Sequence, residues 1–404
     1  MPALMPPPVS KRWVPEPLSS TTKYPVVRIG CLALLLRIGS AILAFYSNVA
    51  FPLFQREQFT MFGRTSPFWD TFVRYDSGWY YDIARRGYDA STAVAGGRSN
   101  IAFFPVYPLS MRYVGRLFGL AASDLYLGGI VVAWVSFVLA MIVLYHLARL
   151  DLPDEHAERA VVLTAIFPFG FFFGVVYSES TFLLFTVLVF YLLRTRRWVL
   201  GGLSGAVAGA TRVPGIMMWP ALAWVAWRSA KPARRDRVWA VTALALAASG
   251  FGGYCLYIYT QSGNPFLWVL ALRRWGYYPG GPPWTAPVRL IEHLVTHPYA
   301  YMAGDRMAPY DTLNGLTGMF FVVALPFVWR RLGAGYGLFM LANLWLPLSS
   351  GVFEGMGRYC SVMFPCFIWL AGIRSQTVAT SLVVVFAMLY TLCLALFTTI
   401  HPLF

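Results

Sequence analysis

Long apolar runs separated by short polar segments dominate the chain from about residue 25 to residue 398. Most of these runs approach the roughly 20 residues that an α-helix needs to cross a hydrocarbon core of about 30 Å. Because only helices and closed barrels satisfy their backbone groups in lipid, the pattern predicts an all-α polytopic membrane protein. Spans are predicted near residues 25–48, 124–149, 158–177, 179–194, 238–260, 311–328, 334–350, 358–373 and 377–398.

The apolar segment between Arg197 and Arg228 does not fit an ordinary span. It is too short for two helices of about 20 residues and too long for one. Both flanking arginines are expected in the cytoplasm, so the segment must cross an even number of times. We predict two short helices that meet at residues 211–215, because irregular backbone at membrane depth is tolerated where it lines protein or a wet cavity. The total is then about eleven helices.

The composition agrees with a membrane protein and explains the basic charge. Of 404 residues, 58% are hydrophobic and only 12% are charged, against about a quarter in soluble domains. The excess of 32 Lys and Arg over 17 Asp and Glu gives a net charge of +15. The tendency of basic residues to remain cytoplasmic explains much of this excess, so no nucleic-acid partner is expected. The five cysteines lie in apolar runs without metal-ligand spacing.

The predicted organisation is a disordered cytoplasmic tail over residues 1–24 and a single transmembrane domain over residues 25–404. Basic clusters at 11–28, 194–197, 228–237 and 330–331 are assigned to the cytoplasm. Residues 49–123 and 261–310 then form two external loops, and residues 101–119 are expected to be interfacial or re-entrant. Eight arginines of the first loop oppose the charge rule, at positions 56, 64, 74, 85, 86, 98, 112 and 116.

The stretch RYDSGWYYDIARRGY, residues 74–88, concentrates charge and aromatic groups in this first loop. At 100° per residue, Trp79, Tyr80, Ile83 and Ala84 share one face, with Asp76 in its middle. We predict a short amphipathic helix in the membrane interface, with its aromatic side towards the membrane. A carboxylate on that side is costly unless it has a partner or a function. A helix N-cap is an equally good interpretation of Asp76, since Asp is a preferred cap.

The same arrangement of spans brings several ionisable residues to one side of the membrane. Asp76, Arg212, Arg273, Arg274, Glu354 and Arg358 are all expected on the noncytoplasmic side, with Glu179 near it. Because intramembrane and interfacial charges often mark function, this convergence predicts a site there.

The chain resembles the PIG-V family, the GPI mannosyltransferase 2 type of GT-C glycosyltransferases, which includes bacterial relatives. The matching motifs occur in order over most of residues 25–373. They are Asp-Ser-x-Trp-Tyr-x-x-Ile-Ala-x-x-Gly-Tyr at 76–88, Phe-Phe-Pro-Val-Tyr-Pro-Leu at 103–109, Phe-Pro at 167–168, Tyr-Ser-Glu-Ser-Thr-Phe at 177–182, Ala-Thr-Arg-Val-Pro-Gly at 210–215 and Arg-Tyr at 358–359.

This resemblance implies a GT-C transmembrane bundle and the transfer of a hexose, in this family mannose, from a polyprenyl (dolichyl)-phosphate donor. The acceptor would be a lipid-linked molecule on the noncytoplasmic face, and transfer would proceed with inversion. An acidic residue of the first external loop would serve as base, which is Asp76 here. No cofactor is called for, and dependence on a divalent metal is left open.

An anionic lipid phosphate leaves during such a transfer, and preorganised cations stabilise it best in a partly dry site. Arg212 at the predicted hairpin tip is the first candidate for this role and Arg358 the second, although both could instead snorkel to the interface. Glu179 could orient Arg212 or bind a sugar hydroxyl, or it could be a solvated acid in an external turn. Supporting or sugar-binding positions are Trp79, Tyr80, Arg273 and Trp275, and an aromatic belt is the alternative for Trp275.

Two further interpretations remain at this stage. A lipid or glycolipid transporter would also place arginines near a lipid phosphate, but it should show repeated halves, and no internal repeat is evident. His293 and His297 have the spacing of a zinc-binding helix, yet the HExxH pattern is missing and Pro298 follows at once. The absence of any Asn-x-Ser/Thr sequon favours a bacterial plasma membrane over an ER membrane.

Overall fold

A computed structural model describes residues 24–54, 66–275, 281–299 and 309–403. Within these ranges the chain forms α-helices and short 3-10 helices and no strand, as predicted for an all-α protein. The tail expected over residues 1–24 lies outside the described residues, except for Tyr24. Parts of both expected external loops also lie outside them.

The helices are labelled in chain order. As far as residue 194 they are α1 (Pro25–Ala50), α2 (Pro67–Asp70), α3 (Ser77–Arg86), α4 (Ala90–Val94), α5 (Val106–Leu117), α6 (Leu125–Ala148), α7 (Asp154–Ala165) and α8 (Glu179–Arg194). Beyond it they are α9 (Trp198–Gly209), α10 (Pro214–Met217), α11 (Trp219–Ser229), α12 (Arg234–Ser262), α13 (Leu267–Arg274), α14 (Thr285–Thr296), α15 (Pro309–Leu332), α16 (Ala334–Leu348), α17 (Met356–Ser361), α18 (Phe364–Ala371) and α19 (Gln376–Thr398).

Five of the described helical segments are long and apolar enough to cross a membrane. They are Pro25–Ala50, Ala122–Ala148, Arg234–Ser262, Tyr310–Leu332 and Gln376–Thr398. Two shorter apolar helices, α9 and α16, pack among the long ones. The polytopic membrane class is therefore confirmed, whereas the total of about eleven spans remains a prediction.

The continuous span predicted for residues 158–177 is wrong. Helix α7 ends at Ala165, and the phenylalanine-rich segment that follows contains only a 3-10 turn at Gly170–Phe173. Pro168 in this segment cannot continue a helix, and the fully buried Arg37 of α1 donates hydrogen bonds to the carbonyls of Ala165 and Gly170. The apolar run at 158–177 is therefore a short helix followed by buried irregular backbone.

The span predicted for residues 358–373 is also interrupted. Helix α17 ends at Ser361, and α18 begins at Phe364 with Pro365 in its first turn. A proline restricts the backbone of the residue before it and cannot donate to the preceding turn, so the helix stops there.

Between Arg197 and Arg228 a turn breaks the helical chain near Arg212, as predicted, but three short helices form there where two were expected. Helix α9 ends at Gly209, and α10 and α11 follow from Pro214. A side chain on Gly215 would place its Cβ 2.2 Å from the carbonyl oxygen of Ala208, so the close return of the chain requires glycine. Helix α9 packs along α12, where Gly250 approaches Ala206 equally closely. Small residues permit such close helix packing in membranes.

Helix α3 buries the face predicted from its periodicity, but against protein. Tyr80, Ile83 and Ala84 are buried. The Tyr80 ring contacts Phe103 and Tyr107 edge to face, and its hydroxyl lies 2.9 Å from that of Ser178. The expectation that this aromatic side points into the membrane is therefore wrong, because α5 and the neighbouring turns cover it. The position of residues 101–119 relative to a membrane stays a prediction.

Candidate active site

A cavity of about 140 Å³ lies where five distant parts of the chain meet. Its wall is formed by the turn before α3 with the start of that helix, the segment before α5, the turn between α9 and α10, the end of α13 and the beginning of α17 with the segment that leads into it. The lining residues are Asp76, Tyr80, Ala102, Phe103, Phe104, Thr211, Arg212, Val213, Pro214, Leu272, Trp275, Glu354, Arg358 and Tyr359.

Asp76 immediately precedes α3, but its carboxylate does not cap the helix. Instead, Arg358 donates a hydrogen bond from Nη1 to Oδ2 of Asp76 at 2.5 Å, and the Asp76 side chain remains 22% exposed. The backbone amide of Asp76 donates to the hydroxyl of Tyr177. Tyr75, the preceding residue, has a φ of 47°, a conformation uncommon for a non-glycine residue. The turn therefore directs the carboxylate to an arginine at the cavity.

Two more charged groups, Glu179 and Arg212, continue from this ion pair. Arg358 donates from Nε to Oε1 of Glu179, and Arg212 donates from Nη1 to the same oxygen. We call Asp76, Arg358, Glu179 and Arg212 the charge network. Its inner member Glu179 is completely buried, and Oε2 of Glu179 has no hydrogen-bond partner within the described part of the chain. Removing ions from water costs several kcal/mol each, so the network depends on mutual pairing.

Aromatic rings support both arginines of the network. The Arg212 guanidinium lies 5.3 Å from the ring centre of Tyr359, and that of Arg358 lies 4.5 Å from the ring centre of Tyr177. Such stacking orients the planar guanidinium groups. The roles of Tyr177 and Tyr359 were not predicted, although both occur beside charged residues of the matched motifs. Burial raises the pKa of Tyr80 to about 12, so its hydroxyl stays protonated at the cavity wall.

Glu354 adds a carboxylate to the cavity beyond those of the network. No hydrogen bond or ion pair joins Glu354 to another described residue. Burial raises the pKa of Glu354, and the nearby charges of Asp311 and Asp76 raise it further. Within the network two arginines balance two carboxylates, so an ionised Glu354 would make the surroundings of the cavity net negative.

The sequence-predicted positions divide into two groups. Asp76, Arg212, Arg358, Tyr80 and Trp275 line the cavity, and Glu179 lies directly behind it. Trp79 lies behind Trp275, at a ring distance of 4.8 Å. Arg273 lies elsewhere: together with Arg274 it lines a separate cavity of about 470 Å³.

Two of the first-loop arginines that oppose the charge rule bind carbonyl groups of the protein backbone. Arg74 is fully buried and donates to the carbonyls of Val73, Asp70 and Thr398. Arg112 donates to the last carbonyls of α3. These hydrogen bonds give Arg74 and Arg112 a structural role, which explains why the two arginines do not follow the charge rule. Arg56 and Arg64 lie outside the described residues.

No cluster of three or more His, Cys, Asp or Glu able to hold a metal ion occurs in the described ranges. The rings of His293 and His297 lie 6.4 Å apart near the end of α14, and neither lines the cavity. Dependence on a divalent metal therefore remains open.

Comparison with solved structures identifies the class of fold. ArnT from Cupriavidus metallidurans bound to undecaprenyl phosphate has a TM-score of 0.51 at 13% identity, and the alignment covers 95% of this chain and 77% of that one. The archaeal oligosaccharyltransferase AglB from Archaeoglobus fulgidus, in complex with an inhibitory peptide and a dolichol-phosphate, has a TM-score of 0.44 at 12% identity. That alignment covers 92% of this chain but only 56% of the oligosaccharyltransferase. The likeness to ArnT shows that this chain shares the fold of that protein.

The family follows from the sequence itself. The model of the family described as Mannosyltransferase (PIG-V) matches residues 26–229, about half of the chain, and the chain belongs to this family. The matched range includes Asp76, Glu179 and Arg212, whereas Arg358 lies beyond it. A comparison with curated protein sequences found no match. The protein is thus a membrane-spanning member of a mannosyltransferase family.

Proposed function

We propose that this protein transfers a mannose from a polyprenyl-phosphate donor to a lipid-linked acceptor, with inversion at the sugar carbon. Mannose is the sugar of the family to which the chain belongs. The observation that carries the proposal is the contact between Asp76 and Arg358 at a cavity that Arg212 also lines. A proton acceptor and cationic groups are the two elements that such a transfer requires.

In this mechanism Asp76 is the general base. The acceptor hydroxyl attacks the sugar carbon and passes its proton to the Asp76 carboxylate, while the bond between that carbon and the donor phosphate breaks. Arg358 holds one carboxylate oxygen and so fixes the direction of the group. The partial exposure of the Asp76 side chain supports access of the acceptor to the carboxylate.

Arg212 is assigned to the departing phosphate, with Arg358 as its second ligand. The hydrogen bond that Arg212 makes with Glu179 uses Nη1, and no other side-chain hydrogen bond from Arg212 joins the described residues. Its remaining N–H groups are available to phosphate oxygens, which guanidinium groups bind strongly. Arg358 is already shared between Asp76 and Glu179, so its contribution to phosphate binding is the smaller one. Undecaprenyl phosphate in the ArnT structure is a precedent for this donor class.

We further propose that the cavity opens on the noncytoplasmic side of a bacterial plasma membrane. The basic clusters 194–197 and 228–237 bound the far ends of α9 and α11, and the turn with Arg212 lies between their near ends. The tendency of basic residues to stay inside then directs the cavity outward. The absence of glycosylation sequons supports a bacterial over an ER membrane.

The test is transfer by purified protein given radiolabelled polyprenyl-phosphate mannose and a membrane lipid extract. Asp76→Asn should lower the rate by about 10²- to 10⁴-fold, because the base is lost while the size of the side chain is kept. Asp82→Asn is the matched control, since Asp82 lies on the same helix, contacts Arg86 and Asn100, and does not line the cavity. Equal transfer by both variants would remove Asp76 from the base role. A wild-type protein that moves labelled lipid between leaflets without transferring sugar would support the transporter alternative.

A further inference from the structure

A second charged region lies at the other end of the α11–α12 pair, away from the cavity. Residues 228–237 contain five basic residues and a single acid, Asp236. The oxygens of Asp236 accept hydrogen bonds from the Trp198 indole and from the Lys231 amide. No ion pair joins any of the five basic residues to a described carboxylate. The region therefore presents uncompensated positive charge.

The first two turns of α12 arrange this charge above an apolar surface. Arg234, Arg237, Val238 and Val241 have i, i+3, i+4 and i+7 spacing, so they form one stripe along the helix. Two arginines come first and two valines follow, over about 10 Å of helix. A groove of about 390 Å³ runs along this stripe, lined by Pro232, Arg234, Arg237, Val238, Val241 and Thr242.

Neighbouring aromatic and apolar groups give the groove its orientation towards lipid. The Arg237 guanidinium lies 5.3 Å from the ring centre of Trp227, which holds the arginine at the mouth of the groove. Trp227 is 63% exposed and Val241 is 65% exposed. Val241 lies on a helix long enough to cross a membrane, where exposed apolar side chains face lipid, and tryptophans such as Trp227 gather at the boundary with the headgroups.

We infer that this groove binds one anionic phospholipid, with its phosphate at Arg234 and Arg237 and the upper part of an acyl chain along Val238 and Val241. The order of charge and apolar surface along the stripe matches the order of headgroup and chain in a lipid. Basic pockets beside transmembrane helices bind anionic headgroups through the same complementarity. This site is distinct from the sugar-transfer cavity and does not depend on the proposed function.

The test measures lipid retention on the full-length purified protein by native mass spectrometry. The protein is incubated with an equimolar mixture of dioleoyl phosphatidylglycerol and dioleoyl phosphatidylcholine. Wild type should retain the phosphatidylglycerol at least about tenfold more strongly, and R234Q/R237Q should lose most of that preference. The matched control is R330Q/R331Q, which removes the same charge from exposed arginines at the end of α15. An equal loss in both double variants, or no preference in wild type, would overturn the proposal.

Two further arms separate a lipid site from a simple phosphate site. Val241→Trp fills the apolar part of the groove at an exposed position without changing any charge, and it should reduce retention of the lipid. Wild-type retention in this variant would contradict the acyl-chain assignment. Inorganic phosphate in excess should displace the lipid only weakly. Complete displacement by inorganic phosphate would show that the arginines recognise free phosphate and would overturn the lipid assignment.

Discussion

Two of the buried arginines, Arg37 and Arg212, differ in the kind of partner that they contact. Arg37 of α1 is 1% exposed and donates to the carbonyls of Ala165 and Gly170 and to the hydroxyl of Tyr390. Its guanidinium lies 4.4 Å from the ring centre of Phe137. Arg212 is also buried, but its partner is the carboxylate of Glu179, and it lines a cavity.

The difference follows from what each arginine supplies. Backbone that has left a helix inside a membrane protein needs donors for its free carbonyls, and Arg37 supplies them where α7 ends. The arginine thereby stabilises the irregular segment that leads to Tyr177 and Glu179. Arg212 instead keeps N–H groups for a ligand, and Glu179 balances its charge until an anion enters the cavity. Burial of an intramembrane arginine therefore does not by itself mark a reactive site; the nature of its partners does.

Of the two arginines compared, Arg212 is expected to have the larger effect on activity when it is replaced. Arg212→Gln should lower the transfer rate by about 10²- to 10³-fold, because it removes a cation from the departing phosphate. Stability should fall as well, because the buried carboxylate of Glu179 loses one of its two cationic partners and keeps only Arg358. Single-turnover transfer and thermal unfolding of the same preparation measure the two effects.

Arg212→Lys is the informative companion variant. It keeps the charge but loses the planar group that stacks on Tyr359 and can bind phosphate through two hydrogen bonds. Its transfer rate should fall between those of the wild type and Arg212→Gln. Wild-type rates in Arg212→Gln would exclude the phosphate role.

Replacement of Arg37 should lower stability without lowering the transfer rate. Arg37→Met keeps a long side chain but leaves two carbonyls and a hydroxyl without their donor, which should lower the free energy of unfolding by about 2–4 kcal/mol. The transfer rate per folded molecule should remain near that of the wild type.

The control for Arg37 lies on the same helix. Arg28 pairs with Glu158 at 2.9 Å, and its side chain is 44% exposed. Exposed ion pairs contribute at most about 1 kcal/mol, so Arg28→Met should shift unfolding much less. Denaturant or thermal unfolding with a parallel transfer assay distinguishes the variants. Equal stability losses at both positions would contradict the structural role of Arg37.

The residues of the site could be identified from the sequence more readily than the contacts between them. The face of α3 that carries Tyr80 follows from helical periodicity, and the break near Arg212 follows from the length of the apolar segment. The resemblance to a known family selected Asp76, Glu179, Arg212 and Arg358 together. Asp76 and Arg358 are nevertheless 282 positions apart, and no periodic pattern could pair them.

Apolar runs without an evident break account for much of what could not be predicted. Residues 158–177 have the composition of a span. Two carbonyl groups of their irregular backbone, however, accept hydrogen bonds from Arg37 of α1. An arginine within the first apolar run was a signal for such a partner. Arg273 and Arg274 illustrate the converse: the predicted arrangement of spans put them on the same side of the membrane as the site, whereas they line another cavity.

Replacement of Glu354 should have the smallest effect of the changes considered. Unlike Asp76 and Glu179, Glu354 forms no ion pair with a described arginine. Burial raises its pKa above the ordinary value of 4.5, and the charges of Asp311 and Asp76 raise it further. The folded protein therefore holds this proton more tightly than the unfolded chain does. Stability from this group is fully present below its unfolded pKa and is lost as the pH rises through the folded pKa.

Glu354→Gln fixes the neutral form of this side chain and should therefore raise the melting temperature at neutral pH. Because the residue keeps part of its solvent, the gain should be at most about 2 °C. The gain should vanish near pH 4, where the wild-type carboxyl is protonated as well. Thermal unfolding at both pH values measures it, with Glu292→Gln, an exposed carboxylate on α14, as the matched control. A lower melting temperature in Glu354→Gln at neutral pH would show that the ionised carboxylate has a cationic partner. The contrast between this acid and those of the charge network would then no longer hold.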